Sequence, residues 1–380
     1  MIIKSLLDND LYTFTVMQLV FHQFKDMDVN YKFKIRNKGV DLRSIKPQVQ
    51  AQVRMLHGRK FSANELWYLN SLGYFKLDFI DYLRNYTLDT TGITISEDME
   101  ISIKGRWLET IMFEVPLLAI INELYFDQFN HDWERHGHLI LNGKITQLND
   151  NPDFKFNDFG TRRRRSADWQ RLVLTRLLNE TNSLAGTSNV YLAMELGIPV
   201  VGTMSHQYLM AFQALCHPLQ AQKLALGAWI TEYGTKLGIV LTDTIGIDAF
   251  LNDFDDVFAS IYSGVRHDSG DPYDWAEQVI THYRALGIDP LTKTLVFSDG
   301  LTINKAINLF NKFKSQVKLV SPGIGTSLTN DVGYVPLQIV IKPVTFNGIP
   351  VAKLSDSPGK TMCDSDAYVT YLRELFNCAS

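Results

Sequence analysis

The residues able to do chemistry in this chain gather in four short polar stretches: Gly202-Thr203-Met204-Ser205-His206, Arg266-His267-Asp268-Ser269-Gly270-Asp271, Ser298-Asp299-Gly300 and Gly323-Ile324-Gly325-Thr326. Each follows an apolar run directly, where a strand of a parallel α/β fold would end. Glycines there could cradle a phosphate monoester with backbone N–H groups, and carboxylates could hold Mg2+ or a ribose hydroxyl. Taken together, these residue types suit a sugar phosphate with bound Mg2+. His206 could act as base, metal ligand or nucleophile, and spacing alone leaves all three open. Asp271, followed by Pro272, reads as a helix N-cap, which leaves Asp268 free for a ligand. Asp243 and Asp299 stand at equivalent strand ends. Carboxylates crowded on one rim repel unless cations or hydroxyls compensate them.

The densest positive charge lies in Phe159-Gly160-Thr161-Arg162-Arg163-Arg164-Arg165. Alone, such a run is as readily a solvated basic patch as a site, and a nuclear-localisation reading would want an exposed, disordered setting. Here Trp169, Leu172 and Leu177 follow with helical spacing, which places the arginines at the start of a helix inside the fold. Guanidinium groups at that position would grip phosphates bidentately, helped by free helix N–H groups. Polyphosphate binding is the expectation.

The elements that must position these residues change style along the chain. Tyr31, Phe33 and Ile35 alternate with Lys32, Lys34 and Arg36, and Ile101 and Ile103 alternate with Ser102 and Lys104, giving two half-buried strands. Residues 62–86 carry helical spacing, and the apolar run Ile111 to Tyr125 reads as a buried helix after Pro116. From about residue 160 strand and helix alternate. Asn189 or Ser188 caps a helix ended by Gly197, and Pro199-Val200-Val201 starts a strand. Leu237–Thr242, Thr294–Ser298 and Val317–Val320 are further strands, and Thr302–Lys314 is a helix. Such alternation implies βαβ crossovers and a parallel sheet. The polar strand ends recur about every 25–31 residues, close to the roughly 31 per unit of a (β/α)₈ barrel. Asn347-Gly348 between two apolar runs signals a hairpin. The expected architecture is an irregular, TIM-like α/β barrel over residues 151–336. Beside it stands a mixed α+β domain made of residues 1–150 and joined by about 337–380.

Composition narrows the function classes. The chain has 380 residues, 46% of them apolar, and a net charge of −4. It has no overall basic field to draw nucleic acid or an anionic membrane. Cys216, Cys363 and Cys378 are too few and scattered for a disulfide scaffold or zinc site. Neither a signal-peptide core nor a membrane-length apolar stretch is visible. A cytoplasmic protein is expected.

In order along the chain, these segments resemble the nicotinate phosphoribosyltransferases. The resemblance runs from Leu6-Leu7-Asp8-Asn9-Asp10-Leu11-Tyr12 through Phe113-Glu114-Val115-Pro116, Phe159 to Arg164, Gly186-Thr187-Ser188-Asn189 and the four polar stretches. It ends at Ala352-Lys353-Leu354-Ser355-Asp356-Ser357-Pro358-Gly359-Lys360. It implies the barrel of the type II phosphoribosyltransferases and the joining of nicotinate to 5-phosphoribosyl-1-pyrophosphate. ATP, as co-substrate, would be hydrolysed through a phosphohistidine matching His206. By the same resemblance Tyr12, Phe159, Thr203 and Arg266 contact nicotinate, with Tyr12 contributed by a neighbouring subunit of a homodimer. Arg162 and Arg163 hold pyrophosphate, and Arg36 reaches it across the dimer. Asp243 and Asp268 lie near Mg2+, Asp299 and Ser298 near ribose, and Gly300, Gly325 and Thr326 around the 5-phosphate. Two departures stand out. Pro322 precedes Gly323 where the family has an aromatic residue, which predicts an altered phosphate loop, and Arg165 has no assigned role. The rival readings are a nicotinamide or quinolinate phosphoribosyltransferase and, from another class, a nucleic-acid-binding protein using Arg162–Arg165.

Overall fold

The computed structural model describes residues 1–129, 132–357 and 359–377, so Pro358 and Cys378 lie outside the described residues. Two sheets organise it. The first is antiparallel and draws on both chain ends: β1 (Asp28–Ile35), β2 (Ile93–Ile95), β3 (Ile101–Arg106), β10 (Ile339–Phe346) and β11 (Ile349–Pro350), in the order β11-β10-β1-β3-β2. Alternation along β1 turns Val29 and Tyr31 into the core and leaves Lys32 and Lys34 outside. Tyr31 pairs with Ile103 on one side and Pro343 on the other. Asn347 and Gly348 both take positive φ, 47° and 77°, which matches the right-handed twist of a two-residue hairpin.

The second sheet is parallel: β4 (Phe156–Asp158), β5 (Leu184–Thr187), β6 (Ile239–Leu241), β7 (Gly264–His267), β8 (Thr294–Phe297) and β9 (Leu319–Ile324), in the order β5-β4-β9-β8-β7-β6. Val200 bridges to Thr187 beyond β5, and the Thr203 hydroxyl donates to the Ile239 carbonyl on β6 at 2.5 Å. One short segment thereby links the two edges, and the sheet closes into an irregular barrel. Between the sheets runs the helix Glu114–Asp127, buried along most of its length, which explains its nearly unbroken apolar sequence.

Several expected elements differ in detail. The helical stretch 62–86 is two helices, Ala63–Ser71 and Leu77–Asn85, parted at Gly73 with φ 75°. The buried helix begins at Glu114, with Pro116 inside its first turn, where no intrahelical donor is needed. Pro199–Val201 contributes one bridge and no strand, since its partners are spent on closure. Strand β9 keeps its register with β8 as far as Pro322 and then pairs with β4 at Gly323 and Ile324, so proline does not distort the approach to Gly325. The second hairpin strand ends at Pro350, and residues 351–354 leave the sheet for the barrel mouth. No helix among the described residues is long and apolar enough to cross a membrane.

Candidate active site

Parallel strands present all their C-terminal ends on one rim. Asp243 follows β6, Arg266 and Asp268 flank the end of β7, Ser298 and Asp299 follow β8, Gly325 follows β9 and Phe159 follows β4. His206 opens a short helix, His206–Ala211, beyond the closing segment. Its Nε2 lies 2.7 Å from Asp243 Oδ1 and 3.9 Å from Asp268 Oδ2. A carboxylate only accepts, so Nε2 carries the proton and the lone pair is left on Nδ1. Burial, and then the nearby Lys353 ammonium, lower the His206 pKa against the pull of Asp243. The imidazole is therefore neutral near pH 7.

Asp243 is buried and saturated. Oδ1 accepts from His206, while Oδ2 accepts from Ser269 Oγ at 2.6 Å and Lys353 Nζ at 2.6 Å. Burial alone would raise its pKa, but His206 and Lys353 outweigh that and hold it well below the usual carboxylate range. Asp268 is more open. Arg266 Nη2 donates to its Oδ1 at 3.2 Å, and Ser298 Oγ lies 3.0 Å from the same oxygen. Burial is again overcome, here by Arg266 first and then Lys353, so Asp268 stays ionised. Arg266 Nε also donates to Ser298 Oγ at 2.8 Å, and its guanidinium sits 5.3 Å from the Phe159 ring centroid. That cation–π contact fixes a flat aromatic face beside a positive edge. The Phe159 ring needs Gly323, because a Cβ there would come within 2.2 Å of it.

The arginine run divides by role. Thr161–Arg163 forms a 3₁₀ turn, and the following helix starts only at Ala167, capped by Ser166. Arg162 lies 3.6 Å from Asp10 and 3.7 Å from Glu114, with its guanidinium 5.9 Å from the Tyr12 ring. Arg163 donates to the Ile339 carbonyl, and burial followed by Arg162 and Arg36 lowers its pKa to about 10. Arg164 is buried in a bidentate pair with Asp8 at 2.7 Å, and Arg165 is buried against Asp127 and the Trp133 ring. These two brace the fold and hold no polyphosphate. The expectation for the whole run is corrected accordingly, and the nucleic-acid reading loses its exposed basic face.

Other expected residues are placed as follows. Tyr12, implied to reach into a neighbouring subunit, is buried in its own chain with its hydroxyl 3.3 Å from Glu114. Arg36, likewise implied to cross, contacts the Lys360 carbonyl of its own chain. Thr203 spends its hydroxyl proton on β6, so that hydroxyl is not free to donate to a carboxylate. Gly300 takes φ 56°, and Gly325 precedes the short turn Thr326–Thr329. For Mg2+, an oxygen-seeking ion, the part-exposed Asp268 and Asp299 fit. Asp243 offers its carboxylate to the same rim, with both oxygens meeting donors in this structure.

Sequence reasoning missed Lys353, which is buried and lies 3.6 Å from Asp268 as well as 2.6 Å from Asp243. It also missed Lys360, 2.6 Å from Asp299, and the Lys342–Glu114 pair at 3.2 Å. The signal for Lys353 was a lysine set between Ala352 and Leu354, since a lysine in an apolar run is buried only when paired.

Residues 154–380 match the Nicotinate phosphoribosyltransferase (NAPRTase) family model, and residues 7–122 match that family's N-terminal domain. The chain is 50% identical to a nicotinate phosphoribosyltransferase of Burkholderia mallei, over 99% of this chain and 97% of that one. It is 47% identical to one of Xylella fastidiosa, over 100% and 99%. A crystal structure of nicotinate phosphoribosyltransferase from Vibrio cholerae superposes with a TM-score of 0.94 at 37% identity, covering 100% of this chain and 94% of that one.

Proposed function

The chain belongs to the nicotinate phosphoribosyltransferase family, and from that premise we propose that it joins nicotinate to 5-phosphoribosyl-1-pyrophosphate with ATP hydrolysis coupled through His206. The products are nicotinate mononucleotide and pyrophosphate. The observation that carries the ATP-coupled part is the His206–Asp243 contact, which fixes the tautomer and leaves a neutral Nδ1 as nucleophile. Nδ1 attacks the γ-phosphorus of ATP, an N–P bond forms, the bond to the β–γ bridging oxygen breaks, and ADP departs with the electron pair. Asp243 keeps the ring in place throughout, because the Nε2 proton never leaves it.

In the pentosyl step the ring nitrogen of nicotinate takes C1 of the ribose as the bond to pyrophosphate breaks. That nitrogen carries no proton at neutral pH, so placement matters more than a base. Phe159 offers the flat face and Arg266 the cation for the carboxylate, a charged hydrogen bond of about 1.5–3 kcal/mol. Arg162, Arg163 and Arg36 would steady the departing pyrophosphate charge. Asp299 and Ser298 would hold ribose, while Gly300, Gly325 and Thr326 would cradle the 5-phosphate. Mg2+ would neutralise phosphate charge, held through Asp268 and Asp299. A homodimer with a shared active site and a cytoplasmic setting belong to the same reading, with Tyr12 and Arg36 serving the neighbouring subunit's rim. Arg266 favours a carboxylate-bearing ring over nicotinamide.

The test is incubation with γ-labelled ATP followed by mapping of acid-labile phosphate. Label is expected on His206. His206→Ala should abolish ATP hydrolysis yet leave a slow ATP-independent reaction, and undiminished ATPase in that variant would refute the assignment.

A further inference from the structure

The buried ammonium at the rim stands where a metal ion would have to bind. One ligand atom each from His206, Asp243 and Asp268 lies within 4.8 Å of the others, a donor set able to hold a divalent ion. Lys353 Nζ reaches both carboxylates instead, 2.6 Å from Asp243 Oδ2 and 3.6 Å from Asp268 Oδ2, with only 8% of its side chain exposed. Its backbone is pinned on two sides. Lys353 and Met362 exchange backbone hydrogen bonds at 3.1 and 3.0 Å, and Leu354 N donates to the Thr244 carbonyl at 2.9 Å beside β6. The ammonium is thus delivered by a fixed segment. Charge is already balanced, since Lys353 and Arg266 offset Asp243 and Asp268 around a neutral His206. A doubly charged ion added here would leave excess buried positive charge. Mg2+ also dehydrates reluctantly and favours one or two carboxylates together with substrate phosphates.

We infer that Lys353 is the resident counter-cation of the His206–Asp243–Asp268 cluster, in place of a divalent metal, and that Mg2+ reaches this rim only in complex with a phosphorylated substrate. The inference rests on the proposed site, yet metal uptake by the ligand-free protein does not require His206 to be phosphorylated, so the two readings fail separately.

The test is Mn2+ binding to the full chain, followed by the electron paramagnetic resonance of free Mn2+. Without substrate, wild type is expected to take up no stoichiometric Mn2+, and with 5-phosphoribosyl-1-pyrophosphate it should hold protein-bound Mn2+. Lys353→Met, checked for folding by circular dichroism, should gain one site at least about tenfold tighter than wild type. Lys353→Arg, which keeps the charge, should gain none. One stoichiometric Mn2+ on substrate-free wild type would overturn the inference. So would a folded Lys353→Met that binds no better than wild type, an Arg variant that gains the site, or no uptake with the sugar phosphate. If Lys353→Met does not fold, wild type and the Arg variant decide.

Discussion

In the proposed reaction Arg266 would serve two carboxylates, one its own and one belonging to the substrate. Asp268 takes one edge of the guanidinium, Ser298 takes Nε, and Phe159 lies across the face, so the side chain is oriented before any ligand arrives. Removing it should affect recognition of a carboxylated ring far more than an uncharged one. Arg266→Ala is expected to raise KM for nicotinate roughly 10- to 100-fold, the equivalent of about 1.5–3 kcal/mol, in steady-state assays. Activity on nicotinamide should change by less than about tenfold. At this scale His206, Asp243, Asp268, Arg266 and Ser298 were legible because strand ends in a parallel fold converge. Lys353 was not, because it arrives from outside the strand–helix repeat, on a segment whose path only the folded chain reveals.

Elements carry the next level of constraint. The helix Ala167–Glu180 begins with its first amide donating to Glu123 Oε2 at 3.0 Å, close to the buried Arg164–Asp8 pair. Burial raises the Glu123 pKa to about 7, with Arg164 opposing. Because this lies above the value in an unfolded chain, Glu123's contribution to stability is fully present below about pH 4 and lost as pH rises through 7. Glu123→Gln should therefore gain on wild type between pH 5 and 8, by up to about 3 kcal/mol, in denaturant unfolding at the two pH values. Local signals at helix starts were readable: Asn189 accepts from Leu192 N, and Asp271 accepts from Tyr273 N and Asp274 N. The arginine run was not divisible by sequence. Four identical side chains differ only in which way the 3₁₀ turn and the two residues after it point them, and the partners Asp8 and Asp127 are remote in the chain.

At the scale of the whole molecule, the two chain ends meet and then reach over the barrel. Beyond β11 the chain crosses to the rim, where Asp356 N donates to Ser269 Oγ, Gly270 N donates to Ser357 Oγ and Lys360 pairs with Asp299. Together with the Leu354 N–H donated to the Thr244 carbonyl after β6, this strap ties three strand-end loops together. Adding 5-phosphoribosyl-1-pyrophosphate with Mg2+ is expected to slow amide hydrogen exchange across residues 352–361 by about tenfold, with little change over the remote helix Lys46–Leu56. Mass-spectrometric exchange of peptides covering both regions checks it. The shared sheet was legible in outline from the Asn347-Gly348 hairpin, whereas the strap lacks periodicity, so its residues were readable as a family motif while its path across the rim was not.

The missing side chain at position 323 has a reach beyond its own turn. Since the phenyl ring of residue 159 fills that gap, the proposed floor under the heterocycle and the loop before the proposed phosphate turn would behave as a single mechanical piece. Bulk introduced at 323 would tilt the floor before it disturbed the anion, and the enzyme would first betray the change in its taste for ring shapes, not in its grip on the sugar.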